Sequence, residues 1–428
     1  MSIEDSIMPH QVETIDYGLK NPYFIMALPP GLGKTLAATE VVRRLALRAK
    51  RDVTTLYICP ASVKLNIKDE ILKWYPDAKI SCFMSKKDLY DVWDTDYAII
   101  NYEMIKEAEF LFKWADILVV DEAHLAKNPE AKRSDLLHQF IFEYEIKRVM
   151  LLTGTPMANN VADFYSLIAI CYYSPRFDNP EFLKKFPTYI DFAEHFCNRV
   201  EFYSDYGMKV KYEGVKNVKE LKSYLKDIYI SFDADKVLKI EKGITKHIQV
   251  KELDNPKILE DFQKFVTSDV GQTISSKAKK EAALAMADAT IEYVNLLLKT
   301  GVDKVVVFSD HIDAAVKIAQ AFNTKAMTSL MTNNQDRRDL VKEFQEGEQR
   351  VIVGTSVMGT SWTLTRSNNL VVNDFPWRPG DLDQLLRRIR RVCQKRTPFY
   401  HFMHGSFQSK YILNLLEEKM EAINKVLN

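Results

Sequence analysis

Short, continuous runs of apolar residues recur along this chain in two sets, within residues 23–155 and 302–405. The runs are Thr55–Cys59, Tyr97–Asn101, Ile117–Asp121, Arg148–Thr153, Lys304–Ser309, Arg350–Thr355 and Leu370–Asp374. Runs this short, rich in β-branched residues and alternating with amphipathic stretches, are typical of parallel strands that helices cover on both faces. The pattern predicts an α/β fold.

The region between the two sets has a different character. From about residue 157 to residue 300 the chain is aromatic and lysine-rich, with strong helix formers at helical spacing in Ser276–Leu298 and no comparable series of apolar runs. We therefore predict two parallel-sheet domains in tandem, separated by a helical insertion. The predicted boundaries are 1–160, 161–285 and 286–428.

The charge balance limits how the chain can bind a polyanion. Its 428 residues include 59 basic and 58 acidic side chains, so the net charge is +1. This balance excludes binding by bulk positive charge. It leaves room for local patches, because 385–396 carries six basic residues and no acidic one, and 41–51 carries five and none.

Cysteine usage and the absence of targeting signals predict a soluble, cytoplasmic protein. The five cysteines are widely spaced and include no C-x-x-C pair, which favours a reducing compartment. The first residues lack the pattern of a signal peptide, and no apolar run approaches the ~20 residues that span a bilayer.

The sharpest local motif is Pro29–Thr35, which follows the apolar Tyr23–Leu28. A strand, a glycine-containing turn and Gly-Lys-Thr at a helix start form a phosphate cradle, in which Lys34 neutralises phosphate charge and Thr35 holds Mg²⁺. Leu28 stands where the full motif has its first glycine. A chance Gly-Lys-Thr turn is the alternative.

A second motif, Val119–His124, ends another apolar run. Carboxylates at the carboxyl end of a parallel strand stand where such sheets bind ligands. Asp121 is predicted to hold Mg²⁺, and Glu122 to polarise the attacking water. A solvated turn after a strand is the alternative interpretation.

Together these segments resemble the motifs of superfamily-two helicases, specifically the Swi/Snf-type ATPases. The matching segments, in the family's motif order, are Pro9–Gln11, Gly31–Thr35, Cys59–Ser62, Asn101–Glu103, Asp121–His124, Leu152–Pro156, Lys304–Asp310, Gly354–Thr365, Asp374–Pro379 and Asp383–Gln394. Three departures are Met358, Ser361 and Cys393, which replace glycines of the family pattern. The matches cover nearly the whole chain.

The resemblance implies two RecA-like domains that clamp ATP, with a helical insertion and brace at 161–285. It implies ATP and Mg²⁺ as cofactors. The implied nucleotide-binding residues are Gln11, Gly31, Gly33, Lys34 and Thr35, with Thr35 and Asp121 as metal ligands. Catalysis is implied for Lys34, Asp121, Glu122, Arg388 and Arg391.

The two arginines belong to a basic run, Arg387–Arg391. The resemblance assigns Arg388 and Arg391 as the residues that reach the γ-phosphate from the second domain, which makes catalysis depend on domain closure. A plain basic helix face is the alternative. Arg387 and Arg390 are then surface charges or substrate contacts.

The resemblance also implies contacts with the DNA backbone. The implied residues are Ser62, Lys64, Asn101, Tyr102, Thr355, Ser356 and Thr365. Backbone contacts position a protein without reading sequence, so no sequence preference follows. Each of these polar residues after a strand is also a common loop or helix cap.

These observations predict a compact ATP-driven DNA translocase that remodels forks, junctions or recombination intermediates. Its predicted partners are duplex or branched DNA, with replication or recombination proteins as further candidates, and it is expected to work as a monomeric motor away from membranes. The alternatives are an RNA helicase with the same motor, a strand-separating DNA helicase, and a nucleotide-gated DNA-binding adaptor without processive motion.

Overall fold

A computed structural model describes most of the chain. The described residues are 7–90, 94–127, 131–157, 159–174, 177, 180–204, 207–238, 241–250, 276–359, 362–391, 394–405 and 407–427. The substituted motif positions Ser361 and Cys393 lie outside them.

All seven apolar runs form strands. The described strands are β1 (Tyr23–Ala27), β2 (Thr55–Cys59), β3 (Ile80–Cys82), β4 (Tyr97–Asn101), β5 (Ile117–Asp121), β6 (Arg148–Leu152), β7 (Asn198–Ser204), β8 (Gly207–Glu213), β9 (Tyr229–Ser231), β10 (Ile244–Gln249), β11 (Val305–Phe308), β12 (Ala326–Met327), β13 (Val351–Gly354), β14 (Asn369–Val372) and β15 (Phe399–His404).

Helices connect most of these strands. The described helices are α1 (Pro9–Lys20), α2 (Lys34–Ala49), α3 (Lys64–Trp74), α4 (Glu109–Trp114), α5 (Lys132–Glu143), α6 (Tyr165–Tyr172), α7 (Glu181–Lys185), α8 (Tyr189–Phe196), α9 (Val218–Leu225), α10 (Ala234–Leu238), α11 (Ser276–Lys299), α12 (Ile312–Ala321), α13 (Asn334–Glu346), α14 (Pro379–Leu386) and α15 (Phe407–Leu427). None of these described helices combines the length and the apolar character that crossing a membrane requires.

The chain divides into two compact units, each built around one parallel sheet. The first contains Met1–Asn198, Gly214–Val237 and Ala422–Asn428, and the second contains Arg199–Glu213 and Leu238–Glu421. The strand orders are β3-β4-β2-β5-β6-β1-β9 and β10-β15-β14-β11-β13-β12. Every described pairing within these two sheets is parallel. The predicted α/β fold with tandem RecA-like sheets is confirmed.

Strand β11 shows why these strands appear in the sequence as continuous apolar runs. Val305 and Val307 belong to a core cluster with residues of α11 and α12, whereas Val306 and Phe308 belong to a cluster with residues of α13, α14 and α15. Because successive strand side chains point to opposite faces, a strand covered by helices on both sides needs apolar residues at every position.

The segment 161–285, predicted as a helical insertion and brace, contains strands as well as helices. It contains α6 to α10, but strands β7 to β10 also lie there. β9 pairs with β1 and β10 pairs with β15, each at the edge of a sheet. β9 has only three residues, and β10 exposes most of its side chains. An edge strand is held largely by ladder hydrogen bonds, so it carries no apolar run for a sequence search to find.

His138 in α5 is mostly buried in the first unit. Its Nε2 lies 2.8 Å from Ser166 Oγ, and that hydroxyl donates to the Ala126 carbonyl at 2.8 Å. Since the hydroxyl gives its one hydrogen to Ala126, Nε2 must be the donor to Ser166. Burial lowers the pKa of His138 to about 4.

We expect His138 to destabilise the first unit in mild acid. An unfolded histidine has a pKa of about 6.5, so the unfolded chain takes up this proton first as the pH falls. The free energy of unfolding therefore has its full value above pH 6.5 and decreases as the pH falls towards 4. The expected decrease between pH 7.5 and pH 5 is about 2 kcal/mol. Urea unfolding at these two pH values measures the effect. The His138→Gln variant should lose less stability than the wild type, and an equal loss would refute the assignment.

Candidate active site

Three motif loops begin at neighbouring strands of the first sheet. The phosphate loop Pro29–Thr35 follows β1, Glu122 follows β5, and Thr153 follows β6. The strand order places β5, β6 and β1 side by side. Because parallel strands end at the same edge of a sheet, the three loops meet there.

The phosphate loop depends on two glycines. Gly31 and Gly33 have φ values of 93° and 77°, in the left-handed region that costs other residues roughly 1–2 kcal/mol. A Cβ atom on Gly33 would also lie 2.1 Å from Gln11 Nε2. Gly33 precedes α2, whose first N–H groups lack helical partners and form an anion site.

Helix α1 anchors this loop from the amino-terminal side. Gln11 Nε2 donates to the Leu32 carbonyl at 3.2 Å, and His10 Nε2 lies 3.0 Å from the same oxygen. The Gln11 side-chain oxygen accepts from the Met8 N–H at 2.9 Å. The resemblance points to Gln11 and not to His10, although the two residues are neighbours in the matching segment Pro9–Gln11. The two residues set the position of the loop relative to α1.

Asp121 and Glu122 form a crowded pair of carboxylates. The Glu122 N–H donates to Asp121 Oδ1 at 2.9 Å, and Glu122 itself has φ 50° and ψ 47°. A left-handed backbone at a residue with a side chain costs of order 1–3 kcal/mol and persists only where its surroundings enforce it. This conformation turns the chain sharply after β5.

The electrostatics of the pair suit a divalent cation. Burial and the neighbouring Glu122 carboxylate raise the pKa of Asp121 to about 7, against the opposing pull of the Lys34 ammonium. Among the described residues, Glu122 Oε2 is buried and accepts no hydrogen bond. Buried carboxylate oxygens with excess negative charge are hard ligands of the kind Mg²⁺ prefers. The carboxylate of Asp121 therefore has the chemistry that the predicted metal requires of a ligand.

The loop after β6 lies against the other two motif loops. His124 Nδ1 lies 3.4 Å from Glu122 Oε2 and 3.1 Å from Thr153 Oγ1. A Cβ atom on Gly154 would lie 2.9 Å from Pro30 Cδ. His124, Thr153 and Gly154 belong to the matching segments, but the resemblance implies no role for them in binding or catalysis. Their contacts join the carboxylates, the phosphate loop and the loop after β6 in one network.

The two selected arginines have different environments in the second unit. Arg388 is 2% exposed, and its guanidinium donates to the carbonyls of Gly359 and Trp362. Arg391 is half-buried, and its Nη1 donates to Thr363 Oγ1 at 2.6 Å. Arg388 therefore holds the backbone at Gly359 and at Trp362 in place, whereas Arg391 bonds to a side chain.

Comparison with known proteins decides the family. The SNF2-related domain matches residues 19–301, which is more than half of the chain. The chain belongs to the SNF2-related family. The helicase conserved C-terminal domain matches residues 288–393, so the family resemblance noted from the motifs is confirmed.

This SNF2-related chain is similar to larger proteins. It is 25% identical to the mouse DNA annealing helicase and endonuclease ZRANB3, with 100% of this chain and 41% of that protein aligned. It is 22% identical to the Xenopus tropicalis SWI/SNF-related matrix-associated actin-dependent regulator of chromatin subfamily A-like protein 1, over 98% of this chain and 45% of that one. The chain thus spans less than half the length of these relatives. A solved Sulfolobus solfataricus SWI2/SNF2 ATPase core in complex with dsDNA gives a TM-score of 0.46 at 21% identity, covering 98% of this chain and 92% of that one.

Several residues proposed to contact DNA are enclosed in the first unit. Lys64 is 2% exposed, and its ammonium donates to the Phe83 carbonyl and, at 2.8 Å, to Asn101 Oδ1. Burial lowers the pKa of Lys64. Asn101 is 8% and Tyr102 2% exposed. Ser62 is half-buried on the turn before α3. Only Ser62 of these four keeps appreciable surface, so the other three have internal roles in this structure.

The predicted DNA contacts of the second unit also include both buried and exposed residues. Thr355 is buried, and its N–H donates to the Met327 carbonyl at 3.0 Å. Ser356 is exposed, and Thr365 is half-buried. Ser62, Ser356 and Thr365 therefore remain the proposed DNA contacts. The other four predicted contacts are buried. A polar residue just after a strand can either face solvent or form hydrogen bonds inside the fold, and the sequence does not show which of the two occurs.

Proposed function

We propose that this chain is an ATP-dependent DNA translocase of the Swi/Snf type that acts on duplex or branched DNA. The observation that carries the proposal is the meeting of the phosphate loop, the carboxylate pair Asp121 and Glu122, and the loop after β6 at one end of the first sheet, in a chain of the SNF2-related family. Similarity to a protein named a DNA annealing helicase supports branched DNA as the substrate class.

The residues of the first unit have complementary tasks in ATP hydrolysis. Lys34 and the amino end of α2 bind the phosphates, because both present positive charge at the end of β1. Thr35 and Asp121 would hold Mg²⁺, which would neutralise charge on the phosphate oxygens. Glu122 orients the attacking water and accepts its proton on a carboxylate oxygen. Arg391 and Arg388 are proposed to stabilise the charge on the γ-phosphate.

ATP hydrolysis measured with different nucleic acids tests the proposal. We expect duplex, forked or four-way DNA to raise kcat about tenfold or more, and single-stranded RNA to raise it little. Removal of the third strand from a DNA triplex should require ATP, which distinguishes a translocase from a DNA-binding adaptor. Hydrolysis that no DNA structure affects would refute the proposal, and equal stimulation by RNA would favour an RNA helicase.

A further inference from the structure

Tyr102 connects two loops that the strand order keeps apart. It begins the turn Tyr102–Met104 after β4, and its hydroxyl lies 2.7 Å from the Asp121 carbonyl oxygen and 3.2 Å from that of Glu122. β2 lies between β4 and β5, so the two strands are about 10 Å apart. The side chain therefore crosses the end of β2 to reach the carboxylate loop.

The contact holds the peptide that sets the direction of Glu122. This peptide group joins Asp121 to Glu122. Its carbonyl, on Asp121, accepts a hydrogen bond from the Tyr102 hydroxyl, and its N–H, on Glu122, donates to Asp121 Oδ1. Glu122 has a left-handed backbone, which needs such constraints to persist. Burial raises the pKa of Tyr102 well above its usual range, so the hydroxyl remains a donor.

The residues beside Tyr102 bring the same turn to the surface. Asn101 accepts from the Lys64 ammonium and donates to the Glu103 carboxylate. Glu103 is exposed. Lys64 begins α3 directly after the turn that carries Ser62, so a DNA phosphate bound at Ser62 would attract the Lys64 ammonium and change the hydrogen bonds that hold Asn101. Any shift of the turn moves Tyr102 as well.

We propose that Tyr102 is a positioning residue that aligns Glu122 and transmits DNA binding at Ser62, through Lys64 and Asn101, to ATP hydrolysis. The transmission rests on the proposed function, whereas the alignment of Glu122 does not. Tyr102 thus acts through Glu122 and not by touching DNA.

The Tyr102→Phe variant tests this, because it removes the hydroxyl and keeps the ring. We expect kcat for ATP at saturating duplex DNA to fall tenfold or more, since small misplacements of a catalytic group have effects of this size. The KM for ATP and the Kd for DNA should stay within about twofold of the wild type. The rate without DNA should fall less than the stimulated rate.

Tyr23→Phe is the matched control. Tyr23 is 4% exposed, and its hydroxyl donates to the Ile146 carbonyl. This contact lies at the amino-terminal ends of β1 and β6, away from the motif loops. Both variants lose one buried hydroxyl-to-carbonyl hydrogen bond, so their Tm values should fall by similar amounts. Only Tyr102→Phe should lose kcat.

The possible results separate the two parts of the proposal. Equal kcat values for the two variants would overturn the positioning role. An equal fall of the basal and stimulated rates in Tyr102→Phe would overturn the transmission and support alignment alone. Absence of DNA stimulation in the wild type would refute the proposed function, while the basal rate of Tyr102→Phe would still report on Glu122.

Discussion

The Glu122→Gln variant should hydrolyse ATP about a thousandfold more slowly than the wild type. Glutamine keeps the size of the side chain but cannot accept the proton of the attacking water, and losing a general base typically costs 10²–10⁴-fold. Binding of ATP and DNA should survive, because Lys34 and the phosphate loop are unchanged. Single-turnover hydrolysis and nucleotide binding together measure this.

Glu143→Gln supplies the control for that experiment. Glu143 is exposed at the end of α5 and accepts from Gln139 at 3.3 Å, away from the motif loops. The same chemical change there should leave kcat unaltered. Activity of Glu122→Gln close to that of the wild type would show that another group activates the water.

Arg391→Ala and Arg388→Ala should both abolish most ATP hydrolysis but differ in stability. Loss of an arginine that stabilises the γ-phosphate costs about 10³-fold or more. Removing Arg388 also leaves the carbonyls of Gly359 and Trp362 without their buried donor, a loss of about 2–4 kcal/mol. The Tm of Arg388→Ala should fall by roughly 5–10 °C, whereas the Tm of Arg391→Ala should change little.

Arg350→Ala is a suitable reference in the second unit. Arg350 is exposed and donates to the Asp303 carbonyl at 2.9 Å, before β13 begins. Its removal should affect neither kcat nor nucleotide binding. An Arg391→Ala variant as active as Arg350→Ala would remove Arg391 from the catalytic residues, and an Arg388→Ala variant with unchanged Tm would contradict its structural role.

Motif order and apolar runs were sufficient to predict the two parallel sheets, and they select the residues that are proposed to bind the nucleotide. Lys34, Asp121 and Glu122 are recognisable because phosphate and metal chemistry demand particular side chains within a few residues of a strand end. The same is true of the strands buried on both faces, such as β5 and β11. In these cases the determining interactions are local, or they require only that a residue be apolar.

Other features depend on which segments the fold brings together. Lys64 and Tyr102 follow strands just as an exposed contact would, and only the packing of β4, β2 and β5 turns them inwards. The left-handed backbone of Glu122, the structural role of Arg388 and the edge strand β10 likewise depend on partners far away in the chain. A sequence pattern records what a residue can do chemically, whereas hydrogen bonds between distant segments decide where that chemistry is used.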